Sequence, residues 1–355
     1  MSRVMFSNRS FFYSALKKNI NEYFLQKKIK KTGNWKLYLK STVLIILAVS
    51  LYVSLLAFKF PTGAGIILCS LLGFILAGVG FNIMHDACHG SYSDKKWVNH
   101  LLGLSLNALG GNAFIWRYKH STHHTYTNVD GMDDDIAKSP LLRQCESQKW
   151  LPFHKYQHIY IMFFYAISSI VWITVFDFNK YLKQRASVNS FKMKISDHLV
   201  FWISKIFYIF FYVVIPIYFV GYKSWIIGFI IMHVTMGYTL ALVFQLAHVV
   251  EETNFISCSN NSGALKIDEW AIHQLSATCN FSYRNSFLNW YLGGLNYQIE
   301  HHLFPGISHI HYPSISFVVK RTCEEFNLPY HYFPSMARAI RSHYSQIKRL
   351  GNKPL

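Results

Sequence analysis

Long stretches without any charged residue are the feature that most restricts how this chain can fold. Ser41–Phe58 and Phe60–His85 carry no charge, and two further uncharged runs cover Ile206–Tyr222 and Ser224–Val250. A helix needs about 20 apolar residues to cross a hydrocarbon layer of roughly 30 Å. Only 15% of the residues are charged, whereas soluble proteins average about 25%. The sequence therefore predicts an all-α integral membrane protein.

The charged residues that remain are mainly basic and flank the apolar runs. The first forty residues contain ten Lys or Arg and one acidic residue, Glu22, and the formal net charge of the chain is +18. Because positively charged segments stay on the cytoplasmic side of a membrane, we place the N-terminus there. No nucleic-acid-binding motif accompanies the basic residues, so we exclude nucleic acid as a partner. Anionic lipid headgroups of the bilayer and an acidic protein are the expected partners.

The predicted organisation has two parts. Residues 1–40 form a basic cytoplasmic segment, and residues 41–355 form one domain with interfacial helices and a cytoplasmic cap. Four spans are expected at about residues 41–60, 63–84, 199–222 and 224–250, the last two joined by a short turn at Gly221–Lys223, and the cap comprises residues 85–198 and 251–355. Lys205 is expected to extend its amine towards the membrane surface.

One further apolar segment, Gln157–Phe178, competes for a place in the membrane. Five basic residues and no acidic residue follow it between Asn179 and Ile195. Such a stretch belongs on the cytoplasmic side. The segment is therefore predicted either to dip into the membrane and return or to lie along its surface.

The eighteen histidines of the chain are not scattered evenly. Three groups have helical spacing, with a glutamine in the first position of the last: His85 and His89; His120, His123 and His124; and Gln298, His301 and His302. Residues three or four positions apart share one face of a helix. The predicted topology brings all three groups to the cytoplasmic side, together with His248 at the end of the last span. A histidine within an apolar helix needs a polar role.

Eight histidines are more than one metal ion needs. A tetrahedral zinc ion takes four ligands, so the set predicts a di-metal site with four nitrogens for each ion. Positions would remain for Gln298, water and a diatomic ligand. Imidazole binds iron, copper, zinc and nickel alike. A pair of metal ions with several nitrogen ligands and open coordination positions fits oxygen activation best. The absence of an HExxH motif disfavours a metalloprotease. His233 precedes His248 by fifteen residues, roughly 22 Å along a helix, so we assign it a structural role.

The three motifs "HDACH", "HSTHH" and "QIEHH" resemble the histidine boxes of the membrane-bound fatty acid desaturases. The resemblance covers about residues 71–350, and Gln298 is similar to the front-end subgroup, which includes Delta-6 (linoleoyl-CoA-type) desaturases. It implies an oxidoreductase that uses two iron ions, O2 and two electrons to desaturate a long-chain acyl substrate, either acyl-CoA or acyl-lipid. On this resemblance the ligands are His85, His89, His120, His123, His124, His248, His301 and His302. Three further residues would lie next to these ligands and orient them or a bound water without binding the metal: Gln298, Gln245 and Asp86.

The front-end desaturases of eukaryotes usually carry a fused cytochrome b5 domain with an HPGG motif, and the sequence contains no HPGG. The resemblance therefore implies an external electron donor, either a ferredoxin or a free cytochrome b5. The expected location is a bacterial inner membrane, or the endoplasmic reticulum membrane in a eukaryote, with the active site on the cytoplasmic side.

Two other functions remain open from the sequence. A lipid hydroxylase or ketolase of the same superfamily would use the same boxes but add oxygen to the substrate. A metal transporter or sensor would bind zinc through the histidines, although its ligands should lie at mid-membrane rather than at one surface. Asp133–Asp135 is expected to be a solvated loop, and His273 is a weak candidate for lining the substrate entrance.

Overall fold

The computed structural model describes residues 4–6, 10–136, 140–186, 188–257, 265–267 and 269–353. These residues are mainly helical, which confirms the all-α fold class. The α-helices are, in chain order, α1 (Phe11–Lys27), α2 (Trp35–Ala57), α3 (Thr62–Val79), α4 (His85–His89), α5 (Lys96–Gly103), α6 (Ser105–Ala108), α7 (Ala113–Thr125), α8 (Gln157–Val171), α9 (Asp177–Lys183), α10 (Ile195–Ile209), α11 (Ile215–His248), α12 (Trp270–Ala277), α13 (Ser286–Tyr291), α14 (Gln298–Leu303), α15 (Tyr312–Glu325) and α16 (Met336–Gly351).

Short irregular elements link some of these helices. Single π-helical turns at Gly80–Met84, Trp172–Phe176 and Phe210–Val214 join α3 to α4, α8 to α9 and α10 to α11. Short 3-10 helices cover Pro152–Tyr156 and His309–His311. Two parallel strand pairs are present, β1 (Val4–Phe6) with β2 (Leu265–Ile267) and β3 (Asn280–Phe281) with β4 (Tyr332–Phe333). The π turn before α4 adjoins the first histidine box, a position typical of π-bulges, which are frequent at functional sites.

Four helical runs within the described residues are long and apolar enough to cross a membrane, as expected of an integral membrane protein. They are Trp35–Ala57, Thr62–His89, Pro152–Lys183 and Ile195–His248. The first begins six residues before the predicted span, because Asn34 caps it by accepting a hydrogen bond from the backbone N–H of Lys36.

The last of these runs contains a sharp reversal at Gly221. This residue has φ 79° and ψ 158°, a backbone conformation that favours glycine. The Tyr208 hydroxyl lies 2.5 Å from His233 Nε2, although twenty-five residues of straight helix would separate them by roughly 37 Å. The chain therefore folds back on itself, which confirms the predicted turn at Gly221–Lys223. His233 Nδ1 also lies 2.9 Å from the Ser169 hydroxyl, which confirms its structural role.

The run Pro152–Lys183 is a single helical rod that includes a π turn and has no residue with positive φ. A rod without a reversal cannot enter and leave the same face of a membrane, so the predicted dip and return is wrong. The alternative, that this helix lies along the membrane surface, stays a prediction. Its end packs on α10, where the Tyr181 and Phe201 rings stack at a centroid distance of 4.1 Å.

The chain divides into two compact units. Unit 1 comprises residues 1–32, 119–161 and 243–355, and unit 2 comprises residues 33–118 and 162–242. The predicted cap does not follow this division, since residues 85–118 and 162–198 group with the long apolar helices of unit 2.

The core of unit 1 includes one face of α1. Phe12, Leu16, Ile20 and Phe24 recur every four residues and are at most 4% exposed. They pack against a cluster that includes residues of α12, α14 and α15. Glu269 lies at the start of α1, where its carboxylate accepts hydrogen bonds from the backbone N–H groups of Phe12 and Tyr13. An acid at a helix N-terminus is favourable. The first forty residues are thus partly core, and not only the basic segment that was predicted.

A buried lysine joins three segments of unit 2. Lys205 is 6% exposed, and its Nζ lies 2.9 Å from Asp177 Oδ2. The same amine donates to the backbone carbonyls of Gly110 and Ile173, at 2.6 and 3.0 Å. The prediction that Lys205 extends to the membrane surface is therefore wrong.

Candidate metal centre

Six of the predicted ligands meet inside unit 1. They are supplied by three helices: His120, His123 and His124 by α7, His248 by the end of α11, and His301 and His302 by α14. All six are buried. Ring centroids lie 4.7 Å apart for His123 and His248, 4.2 Å for His124 and His302, and 4.5 Å for His124 and His301.

Two subsets of these histidines are compact enough to hold a metal ion. One subset is His123, His248 and His302, and the other is His124, His301 and His302. Within each subset the candidate ligand atoms all lie within 4.8 Å of one another. The imidazoles at helical spacing thus converge, and His248 lies among them. The roles of these histidines as ligands stay a prediction.

The turn before α14 depends on a glycine. Gly294 has φ +71°, and a β-carbon there would lie 2.7 Å from the β-carbon of His309 and 2.8 Å from the Tyr312 ring. The Tyr312 hydroxyl in turn lies 3.3 Å from His301 Nδ1. A larger residue at Gly294 would therefore disturb a side chain that orients a predicted ligand.

Two imidazoles of this cluster have a short contact from Nδ1 to a side-chain oxygen. His123 Nδ1 lies 3.0 Å from Asp133 Oδ2. His302 Nδ1 lies 2.8 Å from Gln274 Oε1. An imidazole that donates from Nδ1 presents the lone pair of Nε2, and such contacts typically fix the orientation of metal-binding histidines.

The Nε2 atoms of His123 and His248 show that this site fits a metal ion. Both atoms are buried, and neither has a hydrogen-bond partner among the described residues. Buried polar atoms are nearly always satisfied, so each such atom requires an explanation. A metal ion bound through Nε2 supplies one, and a donor set made of imidazoles suits iron, copper, zinc or nickel.

Asp133 and Gln274 are supporting residues that the sequence did not predict, and Asp133 lies in the segment that was expected to be a solvated loop. Its side chain is fully buried and also accepts hydrogen bonds from the backbone N–H groups of Asn128 and Asp135. The predicted solvated loop is therefore wrong at this position. Burial by itself would lower the pKa of His123, but the charge and hydrogen bond of Asp133, together with the charge of Asp135, outweigh burial and raise that pKa.

We expect the Asp133→Asn variant to bind metal about 10–100-fold more weakly, the usual effect of losing a carboxylate behind a ligand. The amide keeps the shape of the side chain but not the charge that orients His123. Retention of iron against a competing chelator measures the effect. The matched control is Asp130→Asn, because Asp130 bonds Ser147 and Gln148 instead of a histidine. Iron retention by Asp133→Asn equal to that of the unmodified protein would contradict this role.

The first histidine box lies in unit 2. His85 and His89 occupy α4, with ring centroids 4.8 Å apart. Both rings meet the Trp116 ring edge to face, at 5.7 and 6.1 Å. Asp86 is 2% exposed and interacts electrostatically with His89 and with the buried Lys40. It is therefore an interior residue, as the supporting role predicted for it requires.

The remaining polar candidates have mixed outcomes. Gln298 is buried, and its Nε2 donates to the Leu295 carbonyl at 2.9 Å, while its Oε1 has no hydrogen-bond partner among the described residues. Gln245 Oε1 accepts a hydrogen bond from Gln144 Nε2 at 3.0 Å, so this oxygen is already engaged. His273 Nε2 bonds the Thr127 carbonyl at 2.8 Å, which indicates a structural role.

Glu300 immediately precedes the two histidines of the third box, but its carboxylate contacts other segments of unit 1. It is fully buried and accepts hydrogen bonds from Tyr330 at 2.7 Å and Asn280 at 2.8 Å. Burial raises the pKa of Glu300 to about 7, and these two hydrogen bonds oppose the rise. The carboxylate thus fastens α14 to the segments that carry Asn280 and Tyr330.

Comparisons with known proteins agree with these observations. A sequence profile described as fatty acid desaturase matches residues 60–334. The sn-1 linoleoyl-lipid 6-desaturase of Arthrospira platensis is 35% identical over 99% of this chain and 96% of its own length. The enzyme of the same name from Synechocystis sp. is 31% identical over 98% of each chain. The acyl-lipid (8-3)-desaturase of Physcomitrium patens is 35% identical over 96% of this chain and 72% of its own length.

Proposed function

Because the chain belongs to the fatty acid desaturase family and is a fatty acid desaturase of a membrane, we propose that it adds a carboxyl-proximal double bond to an 18-carbon polyunsaturated acyl chain of a membrane lipid. Two bound iron ions would carry the oxidation. The observation that carries this proposal is the cluster of six buried histidines in unit 1.

We propose that eight histidines, from the three boxes and from the last span, are the ligands of the iron ions: His85, His89, His120, His123, His124, His248, His301 and His302. For His85 and His89 the support is their spacing and their resemblance to the first box. When bound, the two ions supply the chemistry that uses O2, two electrons and two protons to remove two hydrogens from the acyl chain, with two waters as the other product.

The protein residues around the ions hold the ligands and their protons in place. Asp133 and Gln274 keep the Nδ1 protons of His123 and His302 and so direct each Nε2 towards a metal. We propose that Asp86 likewise orients a ligand imidazole of the first box. Gln298 Oε1 and the Nε2 of Gln245 are proposed to orient water or substrate near the ions, since their opposite amide atoms are engaged with the protein.

The proposed substrate rests on the relatives and on Gln298. The two cyanobacterial relatives are named as linoleoyl-lipid 6-desaturases. The third box of this chain begins with a glutamine, Gln298, and in this it resembles the third box of the front-end subgroup. A host that makes no polyunsaturated fatty acids, fed linoleate and expressing this protein, should accumulate an 18-carbon triene.

Gas chromatography and mass spectrometry of the host lipids will locate the added bond. We expect it between the carboxyl end and the existing double bonds, and an empty vector serves as the control. A bond on the methyl side would contradict the front-end assignment. A hydroxylated product would favour the hydroxylase or ketolase alternative.

We also propose an acidic electron donor, a ferredoxin or cytochrome b5, that binds a basic surface on the cytoplasmic side of a bacterial inner membrane or of the endoplasmic reticulum. The support is the net charge of +18 and the exposed lysines of unit 1 near α1, namely Lys17, Lys18, Lys27, Lys28 and Lys30. Oppositely charged surfaces accelerate association, and salt screens that effect.

Membrane vesicles of defined orientation test the donor and the side together. We expect added ferredoxin or cytochrome b5 to support turnover in inside-out vesicles and not in sealed right-side-out vesicles. Turnover should fall as salt is raised well above about 0.15 M, where the screening length is about 8 Å. Equal turnover in both orientations, or turnover independent of salt, would contradict the assigned side or the charged docking surface.

A further inference from the structure

A large apolar cavity lies in unit 2, away from the first histidine box. It has a volume of about 650 Å³ and is lined by residues of α2, α3 and both arms of the α11 hairpin, together with Tyr212 of the π turn between α10 and α11. Ligand pockets in proteins usually measure roughly 300–1,000 Å³. The lining includes Leu56, Phe60, Ile66, Tyr212, Phe219 and Trp225. The cavity is therefore large enough and apolar enough for a hydrocarbon chain.

This cavity is separate from the region of unit 2 that precedes the first box. Leu72 is the lining residue of α3 nearest to His85 in the chain and precedes it by thirteen residues, roughly 20 Å along a helix. Between them, Gly73 packs directly on the backbone of Met232, so closely that a β-carbon at Gly73 would overlap the Met232 carbonyl oxygen. At this level α3 and α11 are in direct backbone contact, and the lining residues do not extend along α3 beyond Leu72 towards His85.

Two lysines give the cavity a charge preference. Lys59, in the turn between α2 and α3, and Lys223, in the turn at the tip of the α11 hairpin, both line it and both are exposed. The lining contains no acidic residue, and the sequence has none between Lys59 and Asp86 or between Asp197 and Glu251. Lysines are disfavoured on the outer side of a membrane. The turns that carry Lys59 and Lys223 are both predicted to lie on that side, and both lysines line the same cavity.

We propose that this cavity binds an anionic phospholipid, with one acyl chain inside it and the phosphate held by Lys59 and Lys223. Without a ligand, apolar side chains of three helices would surround an open space, whereas protein interiors are closely packed. An acyl chain fills that space and requires no polar partner. The two amines belong to exposed residues that line the cavity, and they supply attraction for a negative headgroup. This site is distinct from the proposed iron centre and does not depend on the desaturase substrate.

Lipid binding to the purified, iron-loaded protein tests the proposal. The protein is delipidated in detergent, and native mass spectrometry then follows the binding of phosphatidylglycerol and of phosphatidylcholine with the same acyl chains. We expect the Lys59→Gln/Lys223→Gln variant to bind phosphatidylglycerol about thirtyfold more weakly, given an attraction of roughly 1 kcal/mol for each lysine. The control Lys95→Gln/Lys96→Gln removes two exposed lysines that do not line the cavity and should bind normally.

A second pair of variants tests the acyl chain. Gly65 lines the cavity, and a β-carbon there would meet open space, so Gly65→Phe should fill the cavity without disturbing the helix. Gly63 also faces open space but does not line the cavity, so Gly63→Phe is its matched control. We expect only Gly65→Phe to lose phosphatidylglycerol, with desaturation unchanged in both variants.

Several results would overturn the proposal. Equal affinity for phosphatidylcholine, or unchanged phosphatidylglycerol binding in the Lys59→Gln/Lys223→Gln variant, would show that the lysines select no headgroup. Tighter binding of free oleate than of phosphatidylglycerol would replace the phospholipid by a fatty acid. Loss of desaturation in Gly65→Phe, with its thermal stability retained, would make the cavity part of the substrate path.

Discussion

The His302→Ala variant is expected to lose bound metal and all measurable desaturation. His302 belongs to both compact subsets of the unit 1 cluster, so its removal takes a candidate ligand from each. Its imidazole is also held on the Nδ1 side by Gln274 and Thr127. The loss should therefore exceed that caused by Asp133→Asn, which removes only a supporting contact.

Two measurements check this expectation, one on the purified protein and one on the host that expresses it. Iron per chain is determined by elemental analysis, and product is determined from the lipids of an expressing host. The matched control is His331→Ala, because His331 lies outside the cluster and is partly exposed. Full activity and full metal content in His302→Ala would remove this residue from the ligand set.

The Lys205→Met variant is expected to destabilise the protein by about 3–5 kcal/mol, the usual cost of removing one partner of a buried ion pair. Asp177 is 1% exposed and would keep a buried carboxylate without its counter-charge. The carbonyls of Gly110 and Ile173 would lose a donor at the same time. Since Gly110 lies just before α7, loosening it should also reduce desaturation.

Unfolding in detergent, followed by circular dichroism, measures this effect. The double variant Lys205→Met/Asp177→Leu should recover much of the stability, because replacing a whole buried pair by apolar side chains is often neutral or stabilising. Lys192→Met, at an exposed position in the same unit, should stay within about 0.5 kcal/mol of the unmodified protein. Unchanged stability in Lys205→Met would show that the ion pair contributes nothing.

The sequence predicts the parts of this protein that depend on short-range spacing. The steps of three and four residues in "HSTHH" and "QIEHH" are enough to turn the imidazoles of α7 and α14 to one face. The position of His248 at the end of an apolar run predicts that it lies near the box histidines. Its ring centroid is 4.7 Å from that of His123. The turn at Gly221 followed from a short break between two runs that are each long enough to span a membrane.

Features that depend on distant contacts could not be predicted from spacing. Asp133 is one of three consecutive acids, and nothing local shows that its carboxylate is the one that bonds His123 Nδ1 at 3.0 Å. The partner of Lys205 is twenty-eight residues away, so the lysine alone looked like one that reaches the membrane surface. Similarly, α1 is surrounded by basic residues, and its buried face appears only when α15 packs against it.

The helix Pro152–Lys183 was misjudged for a different reason. The basic residues after it predict an end that avoids the membrane interior, but charge says nothing about whether the backbone reverses before that point. Reversal needs a turn-forming residue, and the segment between Gln157 and Phe178 contains neither glycine nor proline. The sequence thus held the signal for a continuous helix.

The iron content of protein purified without oxygen tests the central claim most directly. Eight histidines exceed the four ligands of one tetrahedral ion, so we expect two iron ions per chain, together with desaturation when electrons and O2 are supplied. His302→Ala should hold fewer iron ions under the same conditions, whereas His331→Ala should hold two. Stoichiometric zinc that supports full desaturation in the absence of iron would contradict the claim.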